Sequence, residues 1–287
     1  MNWRDPEALG PSPLGGGLQL AMPSWTRAVR AIVLANGIVF AALFVTFLAL
    51  PAGTDRETIA AIDGLLGLQA ARWVAWFPFL PVWQLGTWAF VHSVYGIWHI
   101  LGNMLFLFFL GTMLEELIGT RRFLAAYFSA ILVSGLATLA TGFFLHPEIP
   151  TVGASGAVLC VVVAMAALRP HVRVIFILFP ITLRTLAILY VALDLFGLLL
   201  SLKGAGTNVA HFAHLSGAAW GFLLARQGWI WRDPVQVVGE WRAGREAERA
   251  RDDEARLDEL LAKINRGGIG SLSAGERAFL KRVSKRR

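Results

Sequence analysis

The sequence contains a series of apolar blocks that are long enough to cross the hydrocarbon core of a membrane. A helix needs about 20 predominantly apolar residues to span that core. Charged side chains are almost absent from these blocks, although 16% of the whole chain is charged. The blocks are Ala31–Leu50, Ile97–Leu114, Phe123–Leu145, Thr151–Leu168, Thr185–Leu202 and Val209–Ala225. The sequence therefore predicts an all-α membrane protein in which six transmembrane helices pack as a bundle.

Basic residues outside the blocks predict the orientation of the chain. Loops on the cytoplasmic side of a membrane protein carry an excess of lysine and arginine. The arginines lie before the first block, between the second and third, and between the fourth and fifth: Arg27, Arg30, Arg121, Arg122, Arg169, Arg173 and Arg184. The loops on the other side are poor in basic residues. We therefore expect both termini to lie in the cytoplasm.

These positions divide the chain into three regions. Residues 1–28 are expected to form a cytoplasmic N-terminal tail, residues 29–226 a six-span domain, and residues 227–287 a charged cytoplasmic tail of two helices. Within the domain, the loop of residues 52–88 is rich in tryptophan, phenylalanine and proline. Aromatic rings with a polar edge favour the headgroup region. We expect this loop to lie at the membrane interface; the alternative is a packed surface loop.

The C-terminal tail has the composition of charged helices. Leucines and an isoleucine at helical spacing follow a segment dense in acids and bases, and Gly267 and Gly268 predict the end of a first short helix. Ser273 and Glu276 have the spacing of a capping box, which predicts the start of a second. A basic tail can bind RNA or anionic lipid. Because acids are interleaved with the bases, we expect a solvated helical surface and no nucleic acid partner.

Several ionisable or amide side chains interrupt the apolar blocks. Such groups are costly in a membrane and commonly face an interior cavity. His99 and Asn103 share one face of the second block, where they suit either a site or a hydrogen bond between helices. His211 and His214 share a face of the sixth, where they suit a metal or haem site as well as a catalytic base. Asp194 either orients a histidine or makes a structural hydrogen bond, so its role stays open.

Ser155 lies among small residues at the start of the fourth block. Such serines commonly serve only helix packing, but backbone N–H groups near a helix N-terminus favour a developing negative charge. His214 is followed by Gly217 and Gly221 on the same face, and small residues let two helix backbones approach closely. If this face meets Gly153 and Gly156, the imidazole comes within reach of the serine hydroxyl. It would then supply the base that a serine nucleophile needs.

The order of these residues along the chain resembles that of the rhomboid proteases. The matching segments are His99-x-x-x-Asn103, Gly153-Ala154-Ser155-Gly156 and Ala213-His214-x-x-Gly217-x-x-x-Gly221. Flanking matches are Trp83–Thr87 with Phe90 and His92, and Gly111 with Glu115 and Gly119. The resemblance covers about residues 30–226, and the helical tail resembles the cytoplasmic extensions of some bacterial relatives. It implies a rhomboid-like bundle of six helices in a bacterial inner membrane.

The resemblance also implies an activity and the residues that perform it. The chain would be an intramembrane serine endopeptidase that cuts other membrane proteins in or near their transmembrane segments. Ser155 would be the nucleophile, and His214 the general base and acid. Asn103 and His99, with the backbone N–H of Ser155, would form the oxyanion hole. No cofactor or metal is implied, and the partners would be the transmembrane substrate and the lipid bilayer.

Two positions depart from the family pattern, and two alternatives stay open. Leu159 stands where many relatives have an aromatic residue, and Gln84 where others have an arginine. One alternative is a rhomboid-like protein without catalytic activity that binds transmembrane helices. The other is a membrane protein that ligates a metal or haem through histidines. The ligands in that case would be His92, His99, His211 and His214.

Overall fold

The structure is a computed structural model, which describes residues 23–51, 64–145, 147–176, 179–203 and 211–284. It divides into two compact units, and each is described by itself. The first unit is Met1–Arg232 and the second is Asp233–Arg287. Most of the predicted N-terminal tail lies outside the described residues, as does the first third of the predicted interfacial loop. The predicted domain boundaries stay predictions.

The first unit is largely helical. Its helices are α1 (Arg27–Ala49), α2 (Ala70–Ala75), α3 (Gln84–Thr87), α4 (Ile97–Ile118), α5 (Thr120–Gly142), α6 (Ser155–Leu168), α7 (Leu183–Leu202) and α8 (His211–Arg226). Within the described ranges, α1, α4, α5 and α7 are long and apolar enough to cross a membrane. The other two apolar blocks form shorter helices, of 14 residues in α6 and 16 in α8. The helical prediction is confirmed, and the count of six spans stays a prediction.

Helix α6 begins four residues after the start of the apolar block that contains it. Leu68 and Thr151 exchange two backbone hydrogen bonds, and the Gly153 N–H donates to the carbonyl oxygen of Trp88 at 2.9 Å. Gly153 itself has a φ of +124°, which L residues rarely adopt. These bonds hold residues 151–153 in a non-helical path. Ser155 therefore becomes the first residue of α6 instead of lying inside a helix.

Helix α6 lies in the middle of the unit, and α1 and α7 lie at its outside. Every residue from Gly156 to Ala166 is buried. By contrast, only 11% of the apolar window of α1, and the same share of that of α7, is buried. Large apolar side chains such as Ile38 and Phe196 remain exposed there. Exposed apolar surface of this extent suits contact with lipid.

A carboxylate on α4 holds the beginning of α1. Glu115 is buried and accepts hydrogen bonds from the backbone N–H groups of Ala28, at 3.0 and 3.1 Å, and Val29, at 3.0 Å. The Thr120 hydroxyl donates to the same carboxylate at 2.7 Å. The first N–H groups of a helix lack partners within the helix and carry a partial positive charge. Glu115 satisfies them from a neighbouring helix.

A pair of short strands between α6 and α7 departs from the all-helical prediction. Strands β1 (Arg173–Phe176) and β2 (Phe179–Thr182) pair antiparallel. Their β-branched and aromatic residues favour extended backbone. A two-stranded ribbon consists of edge strands, which tolerate a proline such as Pro180.

The aromatic loop before α4 contains both exposed and fully buried rings. Phe77 and Phe79 are 76% and 83% exposed, whereas Trp88 is buried in the core. Gln84, one of the two departures from the family pattern, is completely buried. It accepts the Trp73 indole N–H at 3.0 Å and donates to the Gly64 carbonyl at 2.7 Å. Gln84 therefore links three parts of the loop through hydrogen bonds. The location of the loop at the membrane interface stays a prediction.

The second unit contains one long and one shorter helix, α9 (Pro234–Gly267) and α10 (Ala274–Ser284). The length of α9 corrects the prediction of two short helices. Asp233 accepts the Val235 N–H at 2.9 Å and starts α9 ahead of the charged segment.

The end of α9 and the start of α10 follow the sequence signals. Gly268, at a φ of +72°, follows the end of α9. The capping box is present: the Ser273 N–H donates to Glu276 at 2.7 Å, and the Glu276 N–H donates to Ser273 at 3.3 Å. Buried Leu260, Leu272 and Phe279 form the core of the unit.

Candidate active site

The backbones of α6 and α8 are in direct contact at the site. A Cβ atom added to Gly217 would lie 2.0 Å from the carbonyl oxygen of Gly156, and one added to Gly221 would lie 2.2 Å from that of Cys160. No side chain fits at either position. The hypothesis that the glycine face of α8 meets Gly153 and Gly156 is therefore confirmed for Gly156, whereas the nearest neighbours of a Cβ at Gly153 would be His99 and Ser155. Cys160 is buried in this contact and serves packing.

This contact brings Ser155 and His214 together. The Ser155 Oγ and the His214 Nε2 are 2.6 Å apart, although the two residues are 59 positions apart in the chain. Ser155 begins α6, so its backbone N–H belongs to the unpaired first turn of a helix. A hydroxyl, a basic nitrogen and a helix N-terminus thus meet at one point.

Asp194 of α7 lies on the other side of the His214 ring. Its Oδ1 is 2.8 Å from the His214 Nδ1 and 2.9 Å from the His211 Nδ1. Asp194 and His211 are buried, and the side chain of His214 is 20% exposed. A carboxylate oxygen only accepts, so each Nδ1 carries the proton that it shares with Asp194. The sequence left the role of Asp194 open, and the structure places it in hydrogen-bonding distance of both histidines.

That hydrogen bond selects one tautomer of His214. A neutral imidazole with its proton on Nδ1 has a free lone pair on Nε2. This lone pair faces the Ser155 hydroxyl. On the other side of Asp194, the His211 ring lies against the backbone of α7. A Cβ at Gly197 would come within 2.4 Å of its Cε1.

The two expected oxyanion residues, His99 and Asn103, lie beside the start of α6. They differ in how far their hydrogen-bond donors are already engaged. A Cβ at Gly153 would lie 2.7 Å from the His99 Nε2 and 3.8 Å from the Ser155 Oγ, so the His99 imidazole is next to the serine. The Asn103 Nδ2 donates to the His99 carbonyl at 2.9 Å and lies 3.4 Å from the His92 Nε2. Both amide hydrogens of Asn103 therefore already have acceptors.

From the sequence, His92 was a flanking match to the family and a possible metal or haem ligand; in the structure it lies beside Asn103 and the start of α6. It is completely buried, and its Nε2 accepts the Ala154 N–H at 3.4 Å as well as the Asn103 amide. Burial, followed by the charge of His99, lowers the pKa of His92 to about 4, so the ring is neutral and the two donors share its one Nε2 lone pair. The motif Phe90 to His92 was the available signal, but it did not reveal this role.

The histidines do not form the four-membered ligand set of the metal or haem alternative. His92 and His99 contact each other edge to face, with ring centroids 5.0 Å apart. His211 and His214 instead group with Asp194, and the three ligand atoms lie within 4.8 Å of one another. Leu159, the other departure from the family pattern, is buried on α6.

The fold and this site define a polytopic helical membrane protein with a serine–histidine contact between two of its helices. Residues 80–230 match the family model described as the Rhomboid domain, which is more than half of the chain. The chain belongs to the rhomboid family and is an integral membrane protein. Residues 246–286 match a second model, described as a family of unknown function.

Similar proteins occur in animals and in a protozoan. The presenilin-associated rhomboid-like protein, mitochondrial, of Rattus norvegicus is 29% identical over 154 residues, and that of Homo sapiens 28% over 158 residues. These matches cover 52% of this chain and 40% of each relative. Rhomboid-like protease 3 of Toxoplasma gondii is 28% identical over 159 residues, or 55% of this chain and 56% of that protein. The chain thus matches about half the length of these relatives.

Proposed function

We propose that this chain is an intramembrane serine endopeptidase that hydrolyses peptide bonds in or near the transmembrane segments of other proteins. The observation that carries the proposal is the 2.6 Å contact between the Ser155 Oγ and the His214 Nε2. A serine is a weak nucleophile until a base takes its proton, and this contact supplies the base. Membership of the rhomboid family and the printed name of the Toxoplasma relative support the same reaction class.

The reaction follows from the direction of the hydrogen bonds. His214 Nε2 takes the hydroxyl proton as Ser155 Oγ attacks the scissile carbonyl carbon, which gives a tetrahedral oxyanion and an imidazolium. The imidazolium then gives that proton to the departing amine as the C–N bond breaks, and an acyl-enzyme remains. Water, deprotonated by His214, attacks the ester, and the collapse of the second tetrahedral species returns the proton to Ser155.

The oxyanion is assigned to donors around the start of α6. The Ser155 backbone N–H and the His99 imidazole lie beside the start of α6, and we include Asn103 as the third donor. The Asn103 amide must first leave His92 or the His99 carbonyl, since both its hydrogens are engaged. Formation of the oxyanion would make this exchange favourable because an anionic acceptor forms stronger hydrogen bonds than a neutral one.

Asp194 is assigned as a positioning residue. It does not touch the substrate or the nucleophile. Its Oδ1 fixes the Nδ1–H tautomer of His214 and stabilises the imidazolium that forms during attack. A dyad was expected from the sequence; the contacts support a dyad whose base is oriented by a carboxylate.

The topology completes the proposal. We infer six spans, with α6 and α8 as the two short ones, and the arginines in the first turns of α1 and α5 favour cytoplasmic termini. The bacterial inner membrane stays a prediction from the resemblance, and the mitochondrial relatives show that the family also occurs elsewhere. Substrate helices would be cut where they unwind, because a helical backbone keeps its carbonyls in its own hydrogen bonds.

The test is labelling with a serine-directed fluorophosphonate together with cleavage of a model transmembrane substrate. We expect Ser155→Ala and His214→Ala each to abolish both signals, with losses that do not add because the residues act as a unit. Ser216→Ala is the matched control, since Ser216 bonds only to carbonyls of its own helix. Labelling that survives in Ser155→Ala would contradict the proposal. A folded wild-type protein without labelling or cleavage would favour the non-catalytic binder of transmembrane helices.

A further inference from the structure

Three ligand atoms converge on the side of His214 that faces away from Ser155. They are the Asp194 Oδ1, the His211 Nδ1 and the His214 Nδ1, and all lie within 4.8 Å of one another. The proposed reaction uses only the Asp194–His214 half of this group. His211 has no step in it, although it is buried and bonds to the same carboxylate oxygen.

We propose that Asp194, His211 and His214 bind one divalent transition-metal ion of the Zn²⁺ class, and that the bound ion switches the protease off. The inhibitory part of this proposal rests on the proposed function of His214. The binding part does not, because it concerns the ligand atoms alone.

The donor set fits such an ion. Two imidazole nitrogens and one carboxylate oxygen are a common three-ligand set for Zn²⁺, which leaves a fourth position for water. His211 and His214 are three residues apart on one helix, so a single helical turn presents both rings on one side. The carboxylate comes from the facing helix α7 and supplies one negative charge. Mg²⁺ and Ca²⁺ prefer oxygen ligands and should not compete.

The cluster is compact enough to close on an ion and open enough to be reached. Zinc ligands lie about 2.0–2.2 Å from the metal. The present separations of 2.8 and 2.9 Å between Asp194 and the two histidines are those of hydrogen bonds, so they need only small side-chain shifts to become ligand separations. The 20% exposure of the His214 side chain leaves a route to solvent.

A bound metal ion would prevent His214 from acting as the general base while leaving the residue in place. A metal ion takes the lone pair of Nδ1, so the single proton of the neutral His214 ring must move to Nε2. No proton is gained or lost in this change. The Nε2–H then points at the Ser155 hydroxyl as a donor and can no longer accept its proton. The metal-bound and the reactive tautomers therefore exclude each other.

The binding test uses the full-length Ser155→Ala protein, so that it needs no activity. Competition with a chromophoric zinc chelator should give one Zn²⁺ per chain. Asp194→Asn and His211→Gln should each weaken binding at least tenfold, because even the loss of an outer partner of a metal ligand costs roughly 10–100-fold. His171→Gln is the control, since His171 is exposed and lies outside the cluster. Equal affinity in all these proteins would overturn the site.

The inhibition test measures the rate of fluorophosphonate labelling of the wild-type protein. Zn²⁺ should slow labelling at least tenfold at concentrations that fill the site, EDTA should restore it, and Mg²⁺ should have no effect. In His211→Gln, the ratio of rates with and without Zn²⁺ should approach one. If Zn²⁺ binds but labelling keeps its rate, or if EDTA abolishes labelling, the inhibitory role is wrong. If the EDTA-treated wild type shows neither labelling nor cleavage while Zn²⁺ still binds Ser155→Ala, the proposed protease function fails and the metal site stands.

Discussion

Two buried carboxylates in the first unit, Glu115 and Asp194, have different roles because their hydrogen-bond donors differ. Glu115 on α4 accepts the backbone N–H groups of Ala28 and Val29 and the Thr120 hydroxyl. Asp194 on α7 accepts from two imidazoles, His211 and His214. Both carboxylates are nearly inaccessible and both join neighbouring helices. They differ in their donors, which are backbone N–H and hydroxyl groups at Glu115 and imidazole rings at Asp194.

The difference lies in whether the donor can change its protonation. A backbone N–H keeps its proton, so the bonds to Glu115 fix the start of α1 and do nothing else. An imidazole can gain a proton on one nitrogen while the other stays bonded, so the bond to Asp194 affects what the far side of His214 can accept. Burial of a carboxylate alone therefore does not indicate a catalytic site. The identity of its donors does.

The largest expected effect comes from removing the charge of Asp194 while keeping its shape. Asp194→Asn should lower kcat by roughly 10²–10⁴-fold, the upper end being what the loss of the orienting carboxylate costs in a Ser-His-Asp triad. The amide can donate to Nδ1 and so favours the wrong tautomer of His214. Steady-state cleavage gives kcat and KM, and KM should change little. Asp194→Glu should recover part of the rate, which a merely structural role would not require.

The amide hydrogens of Asn103, unlike the oxygens of the two carboxylates, are donors, and both are already hydrogen-bonded. Asn103→Ala should lower turnover by roughly 10²–10³-fold if its amide reaches the oxyanion. A steady-state kinetic comparison should place this loss in kcat and not in KM. His99→Ala should reduce thermal stability as well, because its ring packs against Gly153 and His92. An effect of Asn103→Ala on KM alone would assign it a structural role.

A substitution of Glu115 should lower stability and leave kcat unchanged, the opposite of what is expected at Asp194. Glu115→Gln replaces one acceptor oxygen with an NH₂ group that faces the N–H groups of α1. We expect the free energy of unfolding to fall by about 1–3 kcal/mol, the cost of unsatisfied buried donors. Thermal unfolding in detergent measures this, and kcat well below the melting temperature should be close to wild type. A large loss of kcat in a folded Glu115→Gln protein would break the proposed division between the two carboxylates.

The smallest effect is expected at a partly buried carboxylate in the second unit, Glu276. Glu276 bonds to the Lys263 ammonium at 2.8 Å and to the Ser273 N–H, which lower its pKa to about 2. Since the folded pKa lies below the ordinary value of 4.5, the contribution of this carboxylate is complete above about pH 4.5 and is lost as the pH falls towards 2. Protection against hydrogen exchange at the first turn of α10, taken relative to the intrinsic exchange rate at each pH, should fall slightly over that range. Glu276→Gln should remove the pH dependence, whereas Glu259→Gln, at an exposed position of α9, should leave it unchanged.

The sequence predicted those parts of the site that depend on spacing within one helix. Gly217 and Gly221 lie three and seven residues after His214, and this periodicity correctly indicated a face of α8 that a second helix backbone can approach closely. Gly267, Gly268 and the Ser273–Glu276 box correctly marked a helix end and a helix start because caps are local. The apolar blocks also lie where the structure has helices.

Other features depend on how separate elements are rotated against each other, which spacing does not determine. The partner of Asp194 follows from the orientation of α7 relative to α8. The occupied amide of Asn103 follows from His92, eleven residues earlier in a non-helical segment. The late start of α6 results from hydrogen bonds between Thr151 and the distant Leu68. Hydropathy also could not separate the buried Trp88 from the exposed aromatic rings near it.

The direct backbone contact between α6 and α8 has a consequence for protein engineering. Because Gly217 and Gly221 already touch carbonyl oxygens, any substitution there can only move the helices apart. The separation of Ser155 and His214 is at its lower limit, so no larger side chain in this contact can shorten it. A designer who wants a faster enzyme therefore has to change groups around the pair, because even the Cβ of an alanine at residue 217 or 221 would force the two backbones apart.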